Sequence, residues 1–305
     1  MRRSVFPLLQ LIRLPNVAAA GADSLAGWLL VGGALNAPAR WLPLVGASMS
    51  LYAAGMALND WFDVEVDRLE RPGRPLPSGR VSPRVAAGIG WGGLALGLLL
   101  AAAGVGGAVA TLIVAALLAT TIVGYNAGLK HTVLGPEVMG SCRGLNMLLG
   151  MSAAPALGGP AAWLAAGSFG LFVAGVTWIS RSEMKTGETR NLLIGLALQN
   201  LAFLGLAGAA LSPRRFPTPP VDPPLIPVEG LLVLVVVALT VNLAASRALR
   251  EPSPRFLQGA VKTGVLSLVW IDVALVASIR GPQAALAVAL FWPPAFVLAR
   301  WLYST

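Results

Sequence analysis

Between Asn59 and Arg84, a polar segment interrupts an otherwise apolar chain. It reads NDWFDVEVDRLERPGRPLPSGRVSPR, and residues 59–70 carry five of the protein's 13 acidic side chains. Asn59, Asp63 and Asp67 follow one another at intervals of four, which places them on one face of a helix, one turn apart. Because two carboxylates stacked in this way repel each other unless a cation lies between them, the spacing predicts a cation-binding face.

Oxygen ligands of this kind suit Mg²⁺, which proteins usually hold with one or two carboxylates and with the phosphates of a substrate. Arg68, Arg71 and Arg74 come next along the chain, and arginine side chains match phosphate oxygens in a bidentate manner. Carboxylates for a metal, followed by arginines for phosphates, indicate a diphosphate site. The alternative is a solvated helix end whose charges pair with one another, and the spacing alone leaves both interpretations open.

The composition places this segment at a membrane surface. Of the 305 residues, 56% are hydrophobic and 11% are charged, with a mean hydropathy of +0.74, whereas a soluble protein carries roughly 25% charged residues. No long polar linker divides the chain, so we predict one domain, residues 1–305, that folds as an all-α, polytopic membrane bundle. Apolar runs that approach the ~20 residues needed to cross a bilayer lie near 16–35, 42–58, 85–104, 107–127, 138–157, 161–180, 191–211, 228–246, 258–279 and 283–301.

The distribution of Lys and Arg predicts the orientation. With ten spans and the N-terminus inside, sixteen basic residues fall in inside loops and four in outside loops. This bias places the polar segment and the loops at 128–137 and 181–190 on the cytoplasmic face of the inner membrane, as a common cap. The basic residues are spread over short loops, so we expect no nucleic-acid partner. The single Cys142 and the single His131 exclude a multi-cysteine or multi-histidine metal site.

The polar segment resembles a known family signature. NDWFDVEVDRLERPGRPLPSGRVS is similar to the first motif of the UbiA superfamily of intramembrane prenyltransferases, N-D-x-x-D-x-x-x-D-R followed by R-P-L-P-S-G. LIRLPN (11–16), GYNAGLK (124–130) and GSCRGLNMLLG (140–150) resemble other family elements, so the resemblance extends to about residue 190. It implies a bundle of nine helices around a central cavity that opens sideways to the bilayer. Since the hydropathy count gives ten, we expect nine to ten transmembrane helices with a cytoplasmic cap.

The resemblance also implies roles for single residues. Asn59, Asp63 and Asp67 match the family's first Mg²⁺-binding motif, and the two aspartates would take part in catalysis. The residues that match basic and cavity positions around the diphosphate are Arg68, Arg71, Arg74, Lys130 and Tyr125.

The second acidic motif departs from the family pattern. Its place is taken by ISRSEMKTGETR (179–190), which contains no aspartate. Glu183 and Glu188 are the remaining candidates for metal ligands there, so a second Mg²⁺ would be displaced, weakly held or absent. This SRSE version resembles the EboC-type branch, which implies a cyclitol-like acceptor in place of an aromatic one.

Polar residues inside apolar runs indicate further functional positions, because they are costly to keep in a membrane. Arg143 and Asn146 are three residues apart and face the same way. Arg143 also matches a family motif, which makes it a catalytic candidate that faces the substrate. Asn16 and Asp23 in the first run, together with Asn146, are candidates for the acceptor side of the cavity.

These patterns predict a Mg²⁺-dependent prenyltransferase. Its donor would be a polyprenyl diphosphate, geranylgeranyl or longer, and its acceptor a small cyclitol-like or aromatic compound in the lipid bilayer. A secondary transporter would use the carboxylates for ion coupling, but it leaves the R-P-L-P-S-G run unexplained. A catalytically silent, lipid-binding scaffold is favoured by the missing second motif.

Overall fold

The computed structural model describes residues 5–104, 108–181, 189–212, 215–216 and 227–302, and its regular structure within these ranges is helical. Single 3-10 turns occupy Leu129–His131 and Pro155–Gly158. The α-helices are α1 (Phe6–Leu11), α2 (Leu14–Leu30), α3 (Pro38–Phe62), α4 (Val64–Glu70), α5 (Pro83–Ala103), α6 (Val109–Ala127), α7 (Gly135–Met151), α8 (Gly159–Ser180), α9 (Arg190–Ala210), α10 (Val228–Arg250), α11 (Pro254–Arg280), α12 (Pro282–Ala289) and α13 (Trp292–Leu302).

The all-helical, multi-pass architecture is confirmed, but the number of long spans differs from the prediction of nine to ten. Within the described residues, seven helices are long and apolar enough to cross a membrane, namely α3, α5, α6, α8, α9, α10 and α11. Helices α2 and α7 have only 17 residues each, and their apolar sequences carry Asp23 and Arg143. The last predicted run is divided into α12 and α13, since Pro293 and Pro294 fit the first turn of a helix but not its interior.

Helix α2 lies at the centre of the bundle. It contacts α3, α7, α11, α12 and α13, and fourteen of its seventeen residues are buried. Its small side chains let neighbouring backbones approach closely. A Cβ atom at Gly27 would collide with the carbonyl oxygen of Met147, and one at Gly150 would collide with that of Ser24. These two glycines therefore set the distance between α2 and α7.

Helices α3 and α4 hold the acidic motif in a continuous helical line. Asp63 joins the two helices with φ −92° and ψ 3°. Its N–H donates to the carbonyl oxygen of Asn59 at 3.1 Å, and the N–H of Asp67 donates to that of Asp63 at 2.8 Å. The three predicted ligands therefore stay one turn apart, as the spacing indicated.

After α4 the chain turns back across the end of the bundle, because Pro72 and Pro75 cannot continue a helix. Ser82 then starts α5 by accepting a hydrogen bond from the Val85 N–H at 3.3 Å, which is the usual role of an N-cap serine. We call residues 59–84, together with the 128–134 turn and Arg181, the polar cap.

Candidate active site

Asp63 and Lys130 form an ion pair at the centre of the polar cap. Lys130 Nζ lies 2.6 Å from Asp63 Oδ1, and only 8% of the Lys130 side chain is exposed. Asp63 comes from the junction of α3 and α4, whereas Lys130 comes from the turn that follows α6. The pair therefore joins two of the loops that the sequence predicted to share one face.

Asp67 is the most buried carboxylate of the acidic motif, with 2% of its surface exposed. Arg74 Nη1 lies 2.6 Å from Asp67 Oδ2 and 3.5 Å from Asp60 Oδ1, so one guanidinium bridges two carboxylates. Arg71 Nη1 is 4.0 Å from Asp67 Oδ1, and Arg13 Nη2 is 3.8 Å from Asp60 Oδ1. Buried carboxylates need such partners, since an unpaired charge in a dry site is costly.

Arg68 lies apart from this cluster. It forms a surface pair with Glu65 at 2.7 Å, and more than half of each side chain is exposed. The structure therefore brings Arg71, Arg74 and Lys130 to the acidic motif but not Arg68.

Asn59 of the polar cap is hydrogen-bonded to Asn126, which lines a neighbouring cavity. Its amide nitrogen donates to Asn126 Oδ1 at 3.0 Å, which leaves its amide oxygen as the atom that can face a cation. Asn126 is held in turn, because its own nitrogen donates to the carbonyl oxygens of Gly55 at 3.2 Å and Ile122 at 3.0 Å.

The cavity lies between α3, α6 and α7, and we call it the inner cavity. Tyr125, Arg143 and Asn146, three of the predicted cavity and substrate residues, come together in its wall. The Arg143 guanidinium lies 4.8 Å from the centroid of the Tyr52 ring, a cation–π contact. The residues that line the inner cavity are Tyr52, Gly55, Met56, Leu118, Ile122, Tyr125, Asn126, Met139, Cys142, Arg143 and Asn146.

A buried polar network fixes Arg143 and Asn146, two residues of the cavity wall. Arg143 Nη1 lies 2.5 Å from Asp23 Oδ2, and Asn146 Nδ2 donates to the same oxygen at 3.0 Å and to the Ala20 carbonyl oxygen at 2.9 Å. Asp23 is fully buried, so it anchors the two cavity residues from behind and does not line the wall itself. Asp272 on α11, also fully buried, is the neighbouring carboxyl group.

Asn16, like Arg68, does not join these groups, and two further predicted site residues cannot be compared. Asn16 lies in a separate groove formed by α2, α11 and α13, where Trp292 is among its neighbours. Glu183 and Glu188 lie outside the described residues.

The arrangement fits a metal ion that arrives with a phosphorylated substrate. Across the described ranges, no group of three or more His, Cys, Asp or Glu side chains is arranged to hold a metal, and Asp63 and Asp67 are paired with Lys130 and Arg74. Mg²⁺ nevertheless needs only one or two carboxylates when phosphates supply further ligands. The two aspartates and the Asn59 amide oxygen meet that requirement.

Several site residues were not identified from the sequence. Asp60 and Asn126 lie within the quoted motifs, yet only long-range contacts reveal their roles. Arg13, in LIRLPN, has a left-handed backbone with φ 50° at the start of α2, a conformation unusual for a side chain with a Cβ. Tyr52 and Arg181 carry no local signal, since apolar helices contain many aromatic residues and loops many arginines.

A model of the UbiA prenyltransferase family matches residues 24–258, more than half of the chain. The chain belongs to this family. The same match covers the acidic motif, the Lys130 turn and the Arg143 helix, which are the elements that form the polar cap and the inner cavity.

Curated relatives of this UbiA-family protein have the name digeranylgeranylglyceryl phosphate synthase. The one from Methanopyrus kandleri is 38% identical over 160 residues, which are 49% of this chain and 55% of the relative. The one from Metallosphaera sedula is 32% identical over 145 residues, which are 47% of this chain and 50% of the relative. The chain thus spans about half the length of these relatives. Their name differs from the EboC-type branch, so that assignment is not supported.

Solved structures share the fold of this UbiA-family protein. A structure concerned with digeranylgeranylglyceryl phosphate synthase in membranes has a TM-score of 0.64 at 21% identity, covering 92% of this chain and all of the other. A UbiA homolog from Archaeoglobus fulgidus bound to GPP and Mg²⁺ has a TM-score of 0.61 at 17% identity, covering 88% of this chain and 99% of the other. At these identities the likeness shows the fold alone.

Proposed function

We propose that this UbiA-family protein transfers a prenyl group from a polyprenyl diphosphate to a small acceptor within the membrane, with Mg²⁺ as the metal. The observation that carries the proposal is the position of the two ion pairs. Asn59 donates a hydrogen bond to Asn126 in the wall of the inner cavity, and Asp63 and Asp67 follow Asn59 by one and two helical turns, so the Asp63–Lys130 and Asp67–Arg74 pairs lie on the helical line that starts beside that wall. Phosphate-binding groups beside an apolar cavity suit a molecule with a charged head and a long apolar chain.

The charged groups of the polar cap would exchange partners when the donor binds. Lys130, Arg71 and Arg74 would pair with diphosphate oxygens, which frees the carboxylates of Asp63 and Asp67 to hold the metal. Mg²⁺, when bound, neutralises negative charge on the phosphate oxygens. The basic side chains stabilise the same charge as it develops on the leaving group.

The reaction would break the bond between C1 of the prenyl chain and the diphosphate oxygen, whose electron pair leaves with the diphosphate. A lone pair of an acceptor oxygen would form the new bond to C1, and the hydroxyl proton of the acceptor would pass to the released diphosphate. Leu118, Ile122 and Met139 in the cavity wall would keep water from capturing the allylic cation. The ring of Tyr125 offers an aromatic face to the same cation.

The relatives' name supports one acceptor class for this proposal. A digeranylgeranylglyceryl phosphate synthase implies a glyceryl phosphate that already bears one geranylgeranyl chain, with geranylgeranyl diphosphate as the donor. Such an acceptor brings a phosphate of its own, and we infer that Arg13, 38% exposed beside Asp60 of the polar cap, would bind it. We therefore propose this acceptor instead of the cyclitol-like and aromatic acceptors that the sequence alone indicated.

The test uses the purified full chain in lipid nanodiscs with labelled geranylgeranyl diphosphate and Mg²⁺. Each acceptor class is added in turn, and both the prenylated lipid and the released diphosphate are measured. We expect product only with the prenylated glyceryl phosphate, and a loss of about 100-fold in kcat in Asp63→Asn and Asp67→Asn. Glu65→Gln is the matched control, because the exposed Glu65 side chain lies in the same segment without facing the cluster.

Other outcomes separate the alternatives. No turnover with any donor in a folded sample would favour the scaffold. Counterflow of a labelled substrate across proteoliposomes without diphosphate release would favour the transporter. Equal losses in Glu65→Gln and Asp63→Asn would contradict the assignment of the site.

A further inference from the structure

The Lys130 ammonium depends on a very short backbone element. Leu129–His131 is a single 3-10 turn, held locally by hydrogen bonds from the His131 N–H to Gly128 and from the Thr132 N–H to Leu129, both at 3.0 Å. A turn this short is weak by itself. The lysine side chain adds four rotatable bonds, so the position of Nζ requires that the backbone be fixed from elsewhere.

Arg181 supplies that support from the end of α8. Its guanidinium donates to the carbonyl oxygens of Lys130 at 3.2 Å, Val133 at 3.3 Å and Thr132 at a shorter distance. A guanidinium can do this because it presents five N–H groups in one rigid plane. A lysine at the same place also has three N–H groups, but they lie on one nitrogen, whereas here two separate nitrogens, Nη1 and Nη2, donate.

The guanidinium of Arg181 is itself fixed on two sides. It lies 5.1 Å from the centroid of the Trp178 ring, whose Nε1 donates to Glu137 Oε1 at 2.8 Å in the first turn of α7. On the other side is Gly135, where a Cβ atom would lie 2.6 Å from Arg181 Nη2 and 2.7 Å from the Lys130 carbonyl oxygen. The absence of a side chain at Gly135 therefore makes room for the guanidinium against the turn.

We propose that Arg181 is a positioning residue for diphosphate binding, which acts by fixing the 128–134 turn so that the Lys130 ammonium stays beside Asp63. This inference rests on the proposed function, since Lys130 is there a ligand of the diphosphate. Arg181 need not touch the substrate, because its three hydrogen bonds all go to the backbone of the turn.

A double-mutant cycle tests the inference with inorganic pyrophosphate and Mg²⁺ as the probe, by titration calorimetry on the full chain. Arg181→Ala and Lys130→Ala are each expected to weaken pyrophosphate binding about tenfold, roughly the value of one charged hydrogen bond. If Arg181 acts through Lys130, the double variant binds as weakly as Lys130→Ala, within about twofold. Independent losses, which multiply to about 100-fold, would overturn the proposal.

Gly135→Ala provides a second perturbation that keeps both charges. Its Cβ presses on the guanidinium and on the turn, so we expect it to weaken pyrophosphate binding and to add nothing in the Arg181→Ala background. Arg250→Ala is the control, since this exposed arginine ends α10. A purely structural role for Arg181 predicts a lower melting temperature with unchanged pyrophosphate affinity, and that result would also overturn the proposal.

Because pyrophosphate binding is measured without turnover, the two proposals fail separately. If Arg181 and Lys130 are coupled in pyrophosphate binding but the protein transfers no prenyl group, the proposed function is refuted and the role of Arg181 is retained. If the protein transfers a prenyl group but Arg181 and Lys130 affect pyrophosphate binding independently, only the role of Arg181 is refuted.

Discussion

Replacing Arg143 by methionine would remove the guanidinium from the most buried ion pair in the described part of the chain. The side chains of Arg143 and Asp23 are 7% and 0% exposed, and the charged atoms are 2.5 Å apart. Methionine fills a similar volume, so the main loss is electrostatic. Asp23 would keep only the Asn146 hydrogen bond, beside a second carboxyl group at Asp272. Breaking a buried pair from one side costs about 3–5 kcal/mol of the free energy of unfolding.

At about 2 °C per kcal/mol for a chain of this size, the apparent melting temperature should fall by roughly 6–10 °C. The assay is thermal unfolding in detergent, followed by the fraction of monomer that remains on size exclusion. Asp23→Asn combined with Arg143→Met should recover most of the loss, because neither partner is then left charged and alone. A double variant as unstable as the sum of the two single variants would refute the reasoning, and Arg250→Met serves as the surface control.

Three further predictions follow from other contacts. Gly150→Ala should abolish the folded monomer on size exclusion, since its Cβ would meet the Ser24 carbonyl oxygen of α2. Gly92→Ala is the control, because the space around Gly92 is open, and it should leave the free energy of unfolding unchanged or raise it by about 0.5–1 kcal/mol in thermal unfolding. Asn126→Leu removes the partner of Asn59 and should raise the KM for the prenyl diphosphate about tenfold in steady-state kinetics; an unchanged KM would show that Asn59 needs no such support. Arg74→Ala leaves the buried Asp67 with only the Arg71 contact at 4.0 Å and should lower the free energy of unfolding by about 1–3 kcal/mol, whereas Arg68→Ala at the surface should change it by less than about 0.5 kcal/mol. Equal losses of stability in Arg74→Ala and Arg68→Ala would contradict the assignment of Arg74 to the cluster.

Local sequence predicted the parts of the site that depend on helical periodicity. Asn59, Asp63 and Asp67 remain in line because backbone hydrogen bonds continue across the junction of α3 and α4. The i, i+3 relation of Arg143 and Asn146 likewise places both in the wall of one cavity. Both relations are fixed by neighbours along the chain, which is why spacing was sufficient.

Contacts between distant segments could not be predicted in the same way. Nothing near Asp23 indicates that its partner is Arg143, since that pairing depends on how closely α2 approaches α7. Within the described residues, the helices that are long enough to cross a membrane are fewer than the apolar runs counted from hydropathy, for a related reason. Hydropathy marks α2 and α7 as apolar runs, but buried polar pairs between them allow both helices to be short and enclosed by others.

The charges around the acidic motif support the proposal that a divalent cation binds together with the donor, although the described residues form no ready-made metal cluster. The ion-paired cluster around the acidic motif contains the carboxylates Asp60, Asp63 and Asp67 and the basic side chains Arg13, Arg71, Arg74 and Lys130, whereas Arg68 and Glu65 form a separate neutral pair. Four positive and three negative charges leave a single positive charge in excess. Under the proposed function, that excess would attract a diphosphate, but it would not neutralise a group with several negative charges. Donor binding would then draw on positive charge from outside this cluster, and Mg²⁺ held by the aspartates that the basic side chains release would supply it.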